Sequence, residues 1–190
     1  SIITLPVVDG KVSWNVSDLA AGTYTVYANY SGDGKYNINN TNKVNKEFTV
    51  RQITPEITVV KVISEAGKNA TIIVRIDSRT TENITVTVNN KPYSVKPDVD
   101  GIAVVVTDVL ENGTYVSSAA YPGDTNFTQN SVSFTFTANK TSDYVMNVTA
   151  HDIEIENPID VVVNVPADAK GIVKLEIDGT IYTATISNGK

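Results

Sequence analysis

The sequence contains no cysteine, so no disulfide can close a loop and each folded unit must be held by its apolar core. Histidine is nearly missing as well. His151 stands alone, with no cysteine or second histidine at ligand spacing, which excludes the usual zinc sets and leaves it as a solvated loop residue. Aromatics make up only 7% of the 190 residues. No apolar run approaches the roughly 18 residues that a membrane-spanning helix needs, so no membrane contact is expected of these residues. Basic residues are few and scattered: 15 Lys and Arg against 21 Asp and Glu give a net charge of −6. Without a basic cluster there is no footprint for counterion release from phosphates, so nucleic acid is not an expected partner. No serine sits in a nucleophile elbow. Glu154 and Glu156 alternate on one face as a charged edge, not as an acid–base pair. The sequence therefore predicts neither enzyme activity nor a cofactor.

What is present is repetition. Leu19-Ala20-Ala21-Gly22-Thr23-Tyr24 returns as Leu110-Glu111-Asn112-Gly113-Thr114-Tyr115, and Tyr30-Ser31-Gly32-Asp33 returns as Tyr121-Pro122-Gly123-Asp124. Gly22 and Gly113, like Asp33 and Asp124, are 91 positions apart (113 − 22, 124 − 33). A period that long, carrying an aromatic strand between two glycine turns, predicts tandem β domains.

Residues 1–51 read as the C-terminal half of one repeat, with Val12, Trp14 and Val16 alternating as a half-buried strand, then strands at 24–30 and 47–50. Residues 52–139 read as a complete repeat of seven strands, at 56–63, 69–77, 83–89, 92–96, 101–107, 113–121 and 131–138, the pattern of a β-sandwich. Lys61 interrupts the inner face of its first strand or sits just beyond its buried part. Residues 140–190 read as the N-terminal half of a further repeat, since Ile72, Val74 and Ile76 map onto Val161, Val163 and Val165 at a shift of 89 (161 − 72). Asn89-Asn90 becomes Asp178-Gly179, a hairpin signal in both copies because these residues tolerate the left-handed backbone of a type I′ turn. Ser1 falls inside a repeat, which predicts a longer parent chain. The two half units are complementary, and each alone would expose an apolar face and unpaired edges.

These motifs resemble the bacterial immunoglobulin-like repeats of adhesin-like cell-surface proteins of methanogenic archaea. The likeness rests on Leu-x-x-Gly-Thr-Tyr at 19–24 and 110–115, Tyr-x-Gly-Asp-x-x-Tyr/Phe at 30–36 and 121–127, and the hairpin Val88-Asn89-Asn90-Lys91-Pro92-Tyr93. It implies an all-β fold of tandem immunoglobulin-like Greek-key β-sandwiches, one complete unit flanked by two half units. It also implies an extracellular, non-catalytic stalk. The expectation is a structural and adhesive module that spaces or presents a binding tip at the cell surface. Its partners would be neighbouring repeats of the chain and surface glycans or proteins of another cell. Two rivals stand beside it: a carbohydrate-binding module using Tyr27, Tyr36, Tyr93 and Phe127, and a spacer attached to a cell-surface enzyme.

Tyr24 and Tyr115 are expected as tyrosine corners, each hydroxyl bonding backbone a few residues upstream. Asp33 and Asp124 offer one carboxylate per loop where calcium takes six to eight oxygens, so they are expected to cap their own turns. Asn-x-Ser/Thr occurs nine times, at Asn15, Asn29, Asn39, Asn69, Asn83, Asn112, Asn126, Asn139 and Asn147. With 19 asparagines and 36 Ser plus Thr, chance gives about 3.6 (19 × 36/190). The excess predicts a glycosylated surface protein, and this is the sequence's own argument for the cell exterior.

Overall fold

The computed structural model describes residues 2–38, 44–187 and 189. Short β-branched runs punctuated by Gly, Asn and Asp leave little room for helix, and among the described residues every regular element is a strand. The fold is all-β. Two compact units divide the chain, one ending at Asn139 and the other beginning at Lys140.

The first unit opens with an antiparallel ribbon of β1 (Gly22–Ala28) and β2 (Val44–Val50). Seven further strands follow: β3 (Thr58–Ile63), β4 (Lys68–Arg75), β5 (Ile84–Val88), β6 (Lys91–Val95), β7 (Ile102–Leu110), β8 (Gly113–Tyr121) and β9 (Asn130–Ala138). They form a three-stranded sheet, β3-β4-β7, and a four-stranded sheet, β6-β5-β8-β9. Inward residues of both sheets make one core. Ile72, Val74, Ala103 and Val105 from the first meet Ile84, Val86, Ala119 and Tyr121 from the second. Period-2 alternation puts these residues on one face, and burying them removes the apolar surface that would otherwise stand in water. A smaller cluster of Ala70, Leu110 and Ala138, with Tyr115 and Phe136 against it, closes one end.

From β3 to β9 the strand bounds lie within two residues of those expected, except where bulges intervene, while β2 starts three residues earlier than the expected 47–50. In β3 the register shifts between Val59 and Lys61, so Val60 is an extra residue. The bulge reverses the parity of the strand. Val59 and Val62 both pack on the core although they are three apart, and Lys61 turns out to solvent. A second shift between Asn69 and Thr71 lets β7 run on to Leu110 rather than stop at 107. Its buried Thr107 is satisfied there: Oγ1 accepts the Ala70 N–H at 2.9 Å and donates to the Asp108 carbonyl at 2.7 Å.

One expected strand does not form. Val12, Trp14 and Val16 lie outside any strand and are each more than half exposed, with only a Val8–Lys11 bridge nearby. Their counterparts Ala103, Val105 and Thr107 lie in β7, where β4 supplies the ladder. No strand runs beside residues 12–16 among the described residues, and an unpaired strand leaves its backbone groups to water.

The second unit is two ribbons, β10 (Asn147–Thr149) with β11 (Val162–Asn164) and β12 (Ile172–Ile177) with β13 (Thr180–Thr185). Their registers repeat those of the first unit. Asn147 faces Asn164 as Thr58 faces Arg75, at a shift of 89 (147 − 58, 164 − 75). Val173 faces Ala184 as Ile84 faces Val95, at the same shift (173 − 84, 184 − 95). The hairpin turns agree as well: Asn89 and Asn90 have φ of 47° and 68°, Asp178 and Gly179 have 47° and 79°.

Candidate functional site

The repeated stretches build the same two devices in both copies. Leu-x-x-Gly-Thr-Tyr starts a strand whose tyrosine folds back over its own turn. Tyr24 donates from its hydroxyl to the Ala20 carbonyl at 2.8 Å, and Tyr115 donates to the Glu111 carbonyl at 2.9 Å. Each ring stacks on a phenylalanine of the next strand, Phe48 at 5.6 Å between centroids and Phe136 at 5.4 Å.

The second device is the Gly-Asp loop. Tyr30 donates to Asp33 Oδ2 at 2.6 Å, while the Lys35 and Tyr36 N–H groups donate to Oδ1 at 2.7 Å each. In the later copy Tyr121 donates to Asp124 Oδ2 at 2.6 Å, and the Asn126 and Phe127 N–H groups donate to Oδ1 at 2.8 Å each. The Asp33 N–H reaches the Tyr36 carbonyl at 2.7 Å, and the Asp124 N–H reaches that of Phe127 at 2.9 Å. The preceding glycine is required by geometry. Gly123 has φ of +92°, and a Cβ there would sit 2.9 Å from the Gln129 nitrogen.

Asp124 does more than cap its turn. Its Oδ2 also accepts the Thr81 N–H at 3.0 Å and the Thr81 hydroxyl at 3.1 Å, fastening the loop after β4. Burial alone would push the Asp124 carboxyl up. The hydrogen bonds from the Tyr121 hydroxyl and from the Asn126, Thr81 and Phe127 N–H groups outweigh it and hold the group at about 2. Burial raises the Tyr121 phenol, helped by the bond to Asp124. In the earlier copy the Tyr30 hydroxyl, then the two loop N–H groups, lower the Asp33 carboxyl. Both oxygens of each carboxylate are engaged by donors of their own loops, which is the chemistry of a turn cap.

Around the Asp124 loop the structure assembles a joint. Residues 51–55 run beside it, with the Ile53 N–H donating to the Asn126 carbonyl at 3.0 Å and the Thr128 N–H to the Ile53 carbonyl at 2.9 Å. Gln52 Nε2 donates to the Asp124 carbonyl at 2.7 Å, and the Thr54 and Thr128 hydroxyls meet at 2.9 Å. Asn130 Nδ2 donates to the Pro55 carbonyl at 2.8 Å. From the other side the Ala21 N–H donates to Asn126 Oδ1 at 2.8 Å. Two shallow open clefts flank Gln52, one reaching Asp124 and Phe127 and the other Gly22 and Thr125. Neither gathers the convergent polar groups of a ligand pocket.

The remaining expected residues lie apart. Asn15, Asn29, Asn69, Asn83, Asn112, Asn126, Asn139 and Asn147 are exposed, while Asn39 lies outside the described residues. Asn15 sits in irregular chain and Asn29 just beyond β1, not on strand faces. Asn69 Nδ2 donates to the Thr107 carbonyl, and Asn83 Nδ2 donates to Ser94 Oγ at 3.2 Å. His151, Glu154 and Glu156 are exposed in irregular chain, and no cluster of three or more metal-ligating side chains occurs among the described residues. Phe127 corrects an expectation. It is 1% exposed, capped by the Arg79 guanidinium 5.3 Å from its ring centroid, so it cannot stack on a sugar. Its apolar side chain closes the core beneath the loop whose backbone it anchors. The short stretch 51–55, which includes Gln52, is readable as a stiff connector because it lacks glycine, but the bonds that Gln52, Thr81 and Asn126 make around the Asp124 loop are not readable from the sequence.

The chain matches no protein-family model, no curated protein and no solved structure.

Proposed function

We propose that this chain is a non-catalytic structural and adhesive stalk module, in which immunoglobulin-like Greek-key sandwiches follow one another in tandem at the cell surface. The observation that carries the reading is the joint. Residues 51–55 connect two repeats without flexible glycine, and they are bonded along their length to the Asp124 loop while Asn126 reaches back to Ala21. A connector fixed at both sides transmits direction from one repeat to the next, which is what a spacer needs. The strand order, three strands facing four with the first, second and fifth in one sheet, supports the immunoglobulin-like topology. The eight exposed sequons support a cell-exterior location.

Stiffness is the test. The chain has no native cysteine, so Lys46→Cys on β2 and Arg75→Cys on β4 can carry a clean pair of spin labels. A narrow distance distribution is expected. A broad one, as from a hinged connector, would refute the stalk reading. A glycan array probed with the same chain should give no hits; a specific hit would instead make it a carbohydrate-binding module.

A further inference from the structure

The two sheets of the complete sandwich turn different outer faces to solvent. On the four-stranded sheet the outer rows are mostly small hydroxyls: Thr85 pairs with Ala120 and Ala120 with Ser131, Thr87 with Ser118 and Ser118 with Ser133. The three-stranded sheet shows aliphatic side chains instead. Its registers set Lys61, Ile73 and Val104 in one outer row and Ile63, Thr71 and Val106 in the next. Ile63 is 53% exposed, Val104 49% and Val106 59%, although the core side of each strand is filled. All three strands and the sheet behind them are in place, so this face belongs to a complete sandwich.

Strand propensity does not require it, since threonine suits an outer strand position as well, and the opposite sheet uses threonine and serine. Nor does the repeat require it. Ser13 and Asn15 stand 91 positions before Val104 and Val106 (104 − 13, 106 − 15), and Asp152 and Asp160 stand 89 after Ile63 and Thr71 (152 − 63, 160 − 71). Only Val162 keeps the aliphatic character, at the place of Ile73 (162 − 73). The rows hold no aromatic ring, so they offer no platform for a sugar. Lys61 lies on the edge strand β3 and Arg75 in the next row beside Ile102, both at margins where a long stem can cover apolar surface with its charge in water. With Val60 and Val109, each more than half exposed, the face leaves on the order of 500 Å² of apolar surface in water, as large as the patches that carry function on monomers. Two such faces would together bury roughly 1,000 Å², the low end of specific interfaces, which suits a reversible pair.

We infer that the outer face of β3-β4-β7 is a self-association surface, against which the same face of a second copy of this chain packs sheet on sheet. Both molecules use the same rows, so the contact is isologous and closes as a pair about a two-fold axis. Facing sheets interdigitate their side chains about 10 Å apart, and flat rows of valine and isoleucine suit that packing. Lys61 and Arg75 give each face like charge with no carboxylate in these rows, so salt screens a repulsion and strengthens the pair. An acidic partner protein on the same face would show the opposite salt dependence. The inference goes beyond the stalk reading and is independent of it, since stiffness of the 51–55 joint and pairing of two molecules are read by separate measurements.

Methyl NMR spectra of the 190-residue chain, taken as its concentration rises to about 1 mM, should show shifts at Ile63, Ile73, Val104 and Val106 and none at the core residues Val74 and Val86. Sedimentation velocity over the same range should report pairing that tightens several-fold between low salt and about 0.5 M sodium chloride. Val104→Thr combined with Val106→Thr keeps side-chain shape and strand propensity and should weaken pairing at least tenfold, with the melting midpoint little changed. Ser118→Val, on the opposite outer face, should leave pairing as it was. A chain that stays monomeric, methyl shifts that spare these four residues, or association that the threonine variant does not weaken would each overturn the inference. Association that salt weakens would overturn it too, and would point to an acidic partner surface.

Discussion

Asn126 Oδ1 accepts the Ala21 N–H at 2.8 Å, joining residues that are 105 positions apart. That bond ties the turn before β1 to the Gly-Asp loop after β8, while the Asn126 backbone carbonyl holds the connector at Ile53. One residue therefore fixes both sides of the joint. Asn126→Ala keeps the backbone bond and removes the side-chain one. The Lys46/Arg75 label distance should broaden, and the melting midpoint should move little, because the core residues are untouched. A distribution as narrow as that of the parent would show that the connector alone sets the geometry.

The Asp124 carboxyl makes stability depend on pH in a definite direction. Its folded value of about 2 lies below the ordinary 3.8, so the folded state favours the ionised form. The stability it contributes is complete above about 3.8 and is lost as pH falls towards about 2. Asp124→Asn should lower the neutral-pH melting temperature and flatten the loss of stability across that acid window. Asp33 and Asp77 are also lowered, by the Tyr30 hydroxyl and the Arg79 guanidinium first, so part of the slope should remain. Melts of the parent and the variant from neutral pH down to about 2 provide the check.

Tyr115→Phe removes the hydroxyl that reaches the Glu111 carbonyl and leaves the ring on Phe136. The expected loss is about 1 kcal/mol in urea unfolding, with the slope unchanged. An unaltered midpoint would mean that the ring stack, not the hydroxyl, holds the corner.

Ser117 is the one buried side chain whose polar atom has no partner among the described residues. Val26 occupies the same place in the earlier copy, so the position has an apolar precedent. Ser117→Ala removes an unpaired hydroxyl from the core and should stabilise the chain by about 1 kcal/mol. Denaturant unfolding monitored by fluorescence of the core tyrosines would measure it.

Gly123→Ala meets two obstacles at once, a φ of +92° and a Cβ 2.9 Å from the Gln129 nitrogen. The expected cost is about 2 kcal/mol. Because the loop also seats the connector, the same variant should broaden the Lys46/Arg75 distance, which a purely local strain would leave alone.

The sequence by itself determined the all-β fold, the strands of residues 52–139 and both hairpin turns. These follow from local rules: alternation with a period of two, and Asn or Asp-Gly where a positive φ is needed. The corners at Tyr24 and Tyr115 and the capping roles of Asp33 and Asp124 depend on local spacing too, but the Tyr30–Asp33 and Tyr121–Asp124 hydroxyl bonds appear only in the fold. Tertiary structure decided the rest. Whether Val12, Trp14 and Val16 form a strand depends on a neighbour to pair with, which alternation cannot report. The bulge at Val60 reverses the faces of β3 and sends Lys61 outward, a consequence of how β3 meets β4. Phe127 reads as an exposed loop aromatic in the sequence and is buried, because its neighbourhood is set by Arg79 and by a core assembled from two sheets. The joint was invisible for the same reason: Gln52 and Asp124, Ala21 and Asn126 are distant in sequence, and only the folded chain brings their donors and acceptors within reach.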